Sequence, residues 1–135
     1  KHSYYALGMA SHVEIEQLNI YHATLLAMQR ACYNLFSICK LRPAAIVVDA
    51  MPLILKSNTY TEIPVYHFPK GEDYSSSIAA ASIMAKVYRD QLMSVYHQFH
   101  PQFNWSKNVG YGTLEHRQLV NKIGPSPLHR RSFLS

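Results

Sequence analysis

Carboxylates are scarce in this sequence: eight Asp and Glu stand against thirteen Lys and Arg in 135 residues, a net charge of +5. Residues 1–85 are balanced, six basic against six acidic, whereas residues 86–135 hold seven basic residues and only two acidic ones, Asp90 and Glu115. The whole excess sits in the last third, which points to a polyanionic partner, nucleic acid first. Cysteine is nearly absent. Cys32 and Cys39 are seven apart on one predicted helix, so their Cα atoms stand about 10 Å apart along its axis, too far for a mutual disulfide; a reducing, cytosolic setting fits. No apolar run approaches the ~18 residues of a membrane span, and 48% hydrophobic against 16% charged residues excludes a disordered chain. An initiator Met, a signal pattern and a transit-peptide bias are all missing at Lys1, so a start inside a longer protein is expected. The length suits one domain that buries roughly two-thirds of its unfolded surface.

The periodicity that is present predicts an α/β chain. "HSYYALGMASHV" alternates and carries aromatics, predicting a strand over Tyr4 to Ala10. Ser11 and Glu14 have capping-box spacing, which opens a short helix to about Leu18. A long helix follows, with Ile20, Leu25, Met28, Cys32, Leu35 and Cys39 on one core-facing stripe, and ends before Arg42-Pro43. "AAIVVDAMPL" reads as a buried parallel strand halting at Asp49, built to be covered on both faces. "EIPVYHF" is a further strand. Ser75 to Phe99 is a helix whose first turns, "SSSIAAAS", permit close approach to a sheet or backbone. Thr113 caps a last helix that stops at Gly124-Pro125, and "GPSPLHRRSFLS" is a polar, basic arm. Strand, helix, strand, strand, helix order makes the class α/β.

Chemistry concentrates at two carboxylate positions. Asp49 ends an apolar strand, where ligands of α/β sheets are handled; a strand-end cap is the plainer reading. Glu72 and Asp73 follow the Lys70-Gly71 turn and come out at the same sheet edge if their strand runs parallel to the first; a polar turn is the alternative. Two carboxylates on one edge make half of a hard-cation site, since Mg²⁺ takes few protein oxygens and keeps waters or phosphates for the rest. His97 and His100 mimic an i, i+3 metal pair, but with no Cys or further His nearby they are not expected to hold zinc.

Five blocks, "EIEQLNIYHATLLAM", "IVVDA", "FPKGEDYSSSIAAASIMAKVYRDQLM", "WSKNVGYGTLEH" and "GPSPLHRRSF", resemble the ribonuclease HII family, the type 2 ribonucleases H, in order and at the family's spacing. The resemblance covers nearly the whole chain. It implies a ribonuclease H-like fold, here an incomplete central sheet flanked by helices with a C-terminal helical part: a core over residues 1–100, then a helix and basic tail over 101–135. It also implies metal-dependent cleavage, with Mg²⁺ or Mn²⁺, of RNA in RNA–DNA hybrids or 5′ of single ribonucleotides in duplex DNA, by a cytoplasmic enzyme. Of the family's four carboxylates the third falls on Asp49. The fourth, normally an Asp directly after Lys-Gly, falls on Glu72, one methylene longer, with Asp73 as its substitute. Ser75 matches a serine at a substrate phosphate, and equally an N-cap. Tyr111 matches the tyrosine that stacks on a sugar at the scissile junction, and its place between two glycines suits exposure rather than packing. Lys107, His129, Arg130 and Arg131 are candidate phosphate contacts. Asp90 reads as structural.

The family's first two carboxylates, an Asp-Glu pair, and the Gly-Arg-Gly that senses the ribose 2′-hydroxyl have no counterpart in residues 1–20. The chain is therefore expected to be the C-terminal two-thirds of such an enzyme, inactive alone, exposing apolar surface and partnered by the absent N-terminal segment. Rival readings are a non-catalytic duplex-binding module and a remnant subunit that needs a separate N-terminal piece.

Overall fold

A computed structural model describes residues 3–40, 42–56, 60 and 62–134. It comprises two compact units, Lys1–Ser82 and Ile83–Ser135. The structure is mixed α/β, and the sheet of the described residues has two strands.

The first unit is built on α1 (His12–Ile38), which opens with the predicted capping box. The Glu14 backbone N–H donates to Ser11 Oγ at 3.2 Å, and the Ser11 N–H donates back to Glu14 Oε2 at 2.8 Å. Between the two predicted helices the backbone breaks at Asn19, φ 64° and ψ 167°. Asn tolerates that left-handed φ, and its Oδ1 accepts the His22 N–H at 3.1 Å, restarting the helix.

Two expectations for this region are corrected. Tyr4 to Ala10 is not a strand. No ladder receives its carbonyls; Arg30 Nη1 donates to Met9 O at 2.7 Å and Asn34 Nδ2 to Leu7 O at 2.8 Å instead, so α1 side chains hold it as an extended strap. Gly8 allows the close approach: a Cβ there would stand 2.1 Å from Ala27 O. The stripe holds except at its start: Ile20, next to the Asn19 break, is exposed, whereas Met28 and Cys32 pack on the core together with Tyr33 and Phe36, and Leu25, Leu35 and Cys39 are half-buried.

Strands β1 (Ile46–Asp49) and β2 (Val65–Phe68) pair in parallel, Ile46 opposite Val65 and Asp49 opposite Phe68. Their connection carries Leu53 and Leu55 into a core with Val48, closed by the α1 face. Gln29 Nε2 donates to Ile54 O at 2.6 Å and the Lys56 N–H to Tyr33 Oη at 3.0 Å, tying that connection to α1. Only one sheet face is covered. Val47 and its register partner Tyr66 are 39% and 56% exposed, so the two-sided burial expected of β1 is not met within the described residues. Helix α2 (Ser76–Phe99) begins in this unit, where Ile78 is buried but Ser76, Ser77 and Ala80 to Ser82 are exposed; the small-residue turns do not make the expected close contact.

The second unit holds the rest of α2, a 3-10 turn at Pro101–Phe103, α3 (Trp105–Asn108), α4 (Leu114–Ile123) and a 3-10 turn at Arg131–Phe133. Thr113 caps α4 as predicted, its Oγ1 accepting the His116 N–H at 3.2 Å, and Gly124 ends it at φ 81°. Met93, Phe103, Trp105 and Val120 form the core, with Tyr96, Val109, Leu119 and Leu128 packed on it. The tail is therefore no free arm: Leu128 and buried His129 fold it onto the core.

Candidate functional site

Asp49 sits at the carboxyl end of β1, beside the end of β2. Beyond β2 the chain turns through Lys70 in the left-handed region, φ 57°, into a 3-10 turn at Gly71–Asp73. Here the two strand ends meet. The Gly71 N–H donates to Asp49 Oδ1 at 3.0 Å. The packing around buried Gly71 is close: a Cβ there would stand 2.6 Å from Ile78 Cδ1, so the end of that side chain would have to move. Glu72 and Asp73 follow directly, both exposed, as is Asp49. Ser75 accepts the Ile78 N–H on its Oγ at 3.4 Å, which is the geometry of a cap on α2.

Chemically this corner offers hard carboxylate oxygens with water access, a donor type that suits Mg²⁺ or Mn²⁺. Asp49 keeps one oxygen clear of the Gly71 bond, and Glu72 is the next residue along from Gly71. Among the described residues no three or more His, Cys, Asp or Glu side chains cluster as a complete ligand set. The corner thus fits as part of a cation site.

The remaining candidates lie in the second unit. Tyr111 is 64% exposed at the end of a tightly bonded loop. Its own N–H donates to Asn108 O at 2.8 Å, and the Gly110 N–H donates to Asn108 Oδ1 at 2.9 Å. Val109 and Gly110 both have positive φ, 44° and 77°; a β-branched residue there is strained and persists only where its neighbours over-determine it. Arg89 supplies one such restraint, donating from Nη2 to Val109 O at 3.3 Å. The sequence reading missed Arg89 and Asn108. The Asn-x-Gly spacing before Tyr111 was a usable turn signal for Asn108, whereas Arg89 reaches the loop from another helix.

Lys107 is exposed on α3, and Arg131 is exposed at the start of the last 3-10 turn. The Arg130 guanidinium lies 4.1 Å over the Phe133 ring. His129, by contrast, is buried against Phe103, Trp105 and His116, which withdraws it from the surface where a phosphate would arrive. Asp90 pairs with Lys86 at 2.7 Å, an i, i+4 helix contact, and the His100 ring packs edge-on to Trp105 at 5.6 Å rather than pairing with His97.

Comparison with known proteins extends these observations. The family model described as Ribonuclease HII matches residues 1–135. Among curated relatives, Ribonuclease HII of Synechococcus is 47% identical over 127 residues, 94% of this chain and 53% of that protein. Ribonuclease HII of Lactobacillus johnsonii is 44% identical over 128 residues, 95% of this chain and 47% of the relative, and that of Thermus thermophilus 40% identical over 129 residues, 96% and 59%. The chain spans about half the length of the curated relatives it matches. With a match along its entire length, the chain belongs to the ribonuclease HII family.

Proposed function

We propose that this chain supplies the second half of a divalent-metal endonuclease that cuts the RNA strand of RNA–DNA hybrids and 5′ of single ribonucleotides in duplex DNA. The carrying observation is the Gly71 amide bonded to Asp49 Oδ1, which brings the β1 carboxylate and the Glu72 turn to one sheet edge. Asp49 and Glu72 would hold a Mg²⁺ or Mn²⁺ ion, with Asp73 as the alternative to Glu72. Such an ion, when bound, acidifies a water and stabilises charge on the departing oxygen. The Gly71 N–H orients Asp49, leaving its second oxygen for the cation. Tyr111 stacks on the nucleic acid, and Lys107, Arg130, Arg131 and Ser75 neutralise or bond phosphates.

Two carboxylates carry too little charge to gather two divalent ions, so the chain alone binds without cutting. The two-stranded sheet leaves edges open among the described residues and one face exposed at Val47 and Tyr66, which makes the N-terminal segment the expected partner. A second reading, a non-catalytic duplex-binding module, is favoured by the exposure of Tyr111 beside an intact basic set.

The test is a labelled duplex with one ribonucleotide, incubated with Mn²⁺ and the purified chain, alone and with a separately supplied N-terminal half of a relative. Cleavage 5′ of the ribonucleotide is expected only in the mixture and is abolished by Asp49→Asn. Cleavage by the chain alone would overturn the half-site reading. A mixture that cuts equally well with Asp49→Asn would overturn the assignment of Asp49.

A further inference from the structure

In the second unit two buried histidines and the half-buried polar groups of Ser126 and Asn108 form a bonded series whose protons can be placed one by one. The Ser126 N–H points at His129 Nδ1 at 3.0 Å, and an amide N–H only donates, so Nδ1 is bare. Ser126 Oγ, 2.8 Å from the same nitrogen, is itself the acceptor of the Leu128 N–H at 3.2 Å and has its own proton free to give. Neutral His129 therefore carries its proton on Nε2. That atom is 3.2 Å from His116 Nε2, the rings lying nearly parallel at 12°, so His116 Nε2 accepts. His116 then holds its own proton on Nδ1, 3.3 Å from Phe103 O.

Phe103 O also receives Asn108 Nδ2 at 2.8 Å, and Asn108 Oδ1 accepts the Gly110 N–H at 2.9 Å. The Asn108 nitrogen lies 3.4 Å from His116 Nδ1, but giving its proton there would require the opposite His116 tautomer and set two Nε2 protons face to face. One placement of protons satisfies the whole series: donors run from Ser126 through His129 and His116 to Phe103 O, and from Gly110 through Asn108 to the same oxygen. The series links His129, one residue before Arg130, to Gly110, one residue before Tyr111.

We propose that His129, His116 and Asn108 are positioning residues, a relay of fixed proton placement converging on Phe103 O, which holds Tyr111 and the Arg130-Arg131 pair in the one arrangement that engages a nucleic-acid duplex. This rests on the reading of Tyr111, Arg130 and Arg131 as duplex contacts. The relay works only with both rings neutral. An added proton can go only to His129 Nδ1 or His116 Nε2, and each already faces a donor. The groups around His129 give an imidazolium no help: His116 from α4 and His100 from the end of α2 are themselves imidazoles, and Phe103 and Trp105 complete the wall. Burial first, and His116 second, accordingly hold His129 below the ordinary imidazole range.

Nitrogen-15 spectra of the whole chain test the relay directly. Well above the ordinary imidazole value of about 6.5, His129 should show its proton on Nε2 and His116 on Nδ1; equal tautomers, or titration of His129 at that ordinary value, would overturn the proposal. Fluorescence-anisotropy binding of an RNA–DNA hybrid at fixed salt tests the positioning. His116→Leu strands the His129 Nε2–H and should weaken binding by about tenfold, whereas His116→Gln, whose amide oxygen can take the same proton, should stay within about threefold. Wild-type affinity should fall further between pH 7 and pH 5.5 than that of a Tyr111→Ala/Arg130→Ala variant. Hybrid binding by folded His116→Leu that equals the wild type would remove the positioning role, and if that variant fails to fold, the tautomers and the wild-type pH profile decide. If Tyr111→Ala and Arg130→Ala both bind as wild type while the tautomers are as assigned, the duplex-contact reading has failed and the positioning role falls with it.

Discussion

Lys1–Ser82 and Ile83–Ser135 solve burial differently. In the second unit, Phe103 stacks on Trp105 at 5.2 Å, two buried histidines close the same cluster, and the chain's last segment covers it, all within a short stretch of sequence. In the first, a two-stranded sheet leans on α1 through Val48, Leu53 and Leu55, while its other face leaves Val47 and Tyr66 in water. The candidate site groups follow this division. Tyr111 is displayed by a loop that its own neighbours over-determine, whereas Asp49 and Glu72 stand at the edge of a sheet with few strands to stiffen it. The second unit closes its own core, whereas the first leaves one face of its sheet uncovered among the described residues.

The strongest way to break this contrast is Phe103→Ala, expected to cost about 3–5 kcal/mol. The loss should appear in the fluorescence of Trp105, the single tryptophan, while amide exchange across Ile46–Asp49 is little changed. Equal loss of protection in β1 would erase the distinction between the units.

Next comes Gly8→Ala. The new Cβ meets α1 backbone rather than a movable side chain, so about 1–3 kcal/mol of overpacking is expected. Detachment of the strap should expose Leu7 and Met9 to proteolysis without altering Trp105 fluorescence. A smaller effect is expected for the caps. Ser11→Ala and Thr113→Ala should each cost about 0.5–2 kcal/mol, the first read in α1 and the second in α4 by amide exchange.

Acid should separate the units by the order in which they loosen. Arg30, with the Ser11 backbone, holds the Glu14 carboxyl down to about 2 from 4.5, so its contribution is present above 4.5 and lost as pH falls toward 2. His129 is lowered from 6.5, so the stability it lends as a neutral ring is full above 6.5 and declines as pH falls below it. On descending pH, protection of the Ser126 amide should fade before that of the Glu14 amide. The reverse order would contradict the neutral-ring assignment.

Much of the fold was legible because its signals are local. Ser11 and Glu14, Thr113, and Gly124 carry their cap chemistry within three residues of the helix ends, and the apolar run halting at Asp49 announced a parallel strand that duly pairs with Val65–Phe68. That the ends of β1 and β2 would share an edge followed from that direction of pairing. The misreadings were of partners. Tyr4 to Ala10 has strand composition but finds no ladder among the described residues, and Ile20, placed on the α1 stripe, is left exposed beside the Asn19 break. Arg89, whose tie to Val109 O is made from α2, left no trace in the sequence around Tyr111.

By itself, then, the sequence determined the caps of α1 and α4 and the parallel strand pair, since each is carried by residue types at short spacings, while the uneven charge and the family resemblance were legible over the chain as a whole. Only tertiary structure decided that Ile20 lies outside the packed face of α1, that the basic tail folds back, and that His129 is a core residue rather than a phosphate ligand. The physical reason is that burial and proton placement depend on what stands across the gap: a histidine beside water can take up a proton freely, whereas one with an amide N–H facing one nitrogen and a second ring facing the other is held neutral.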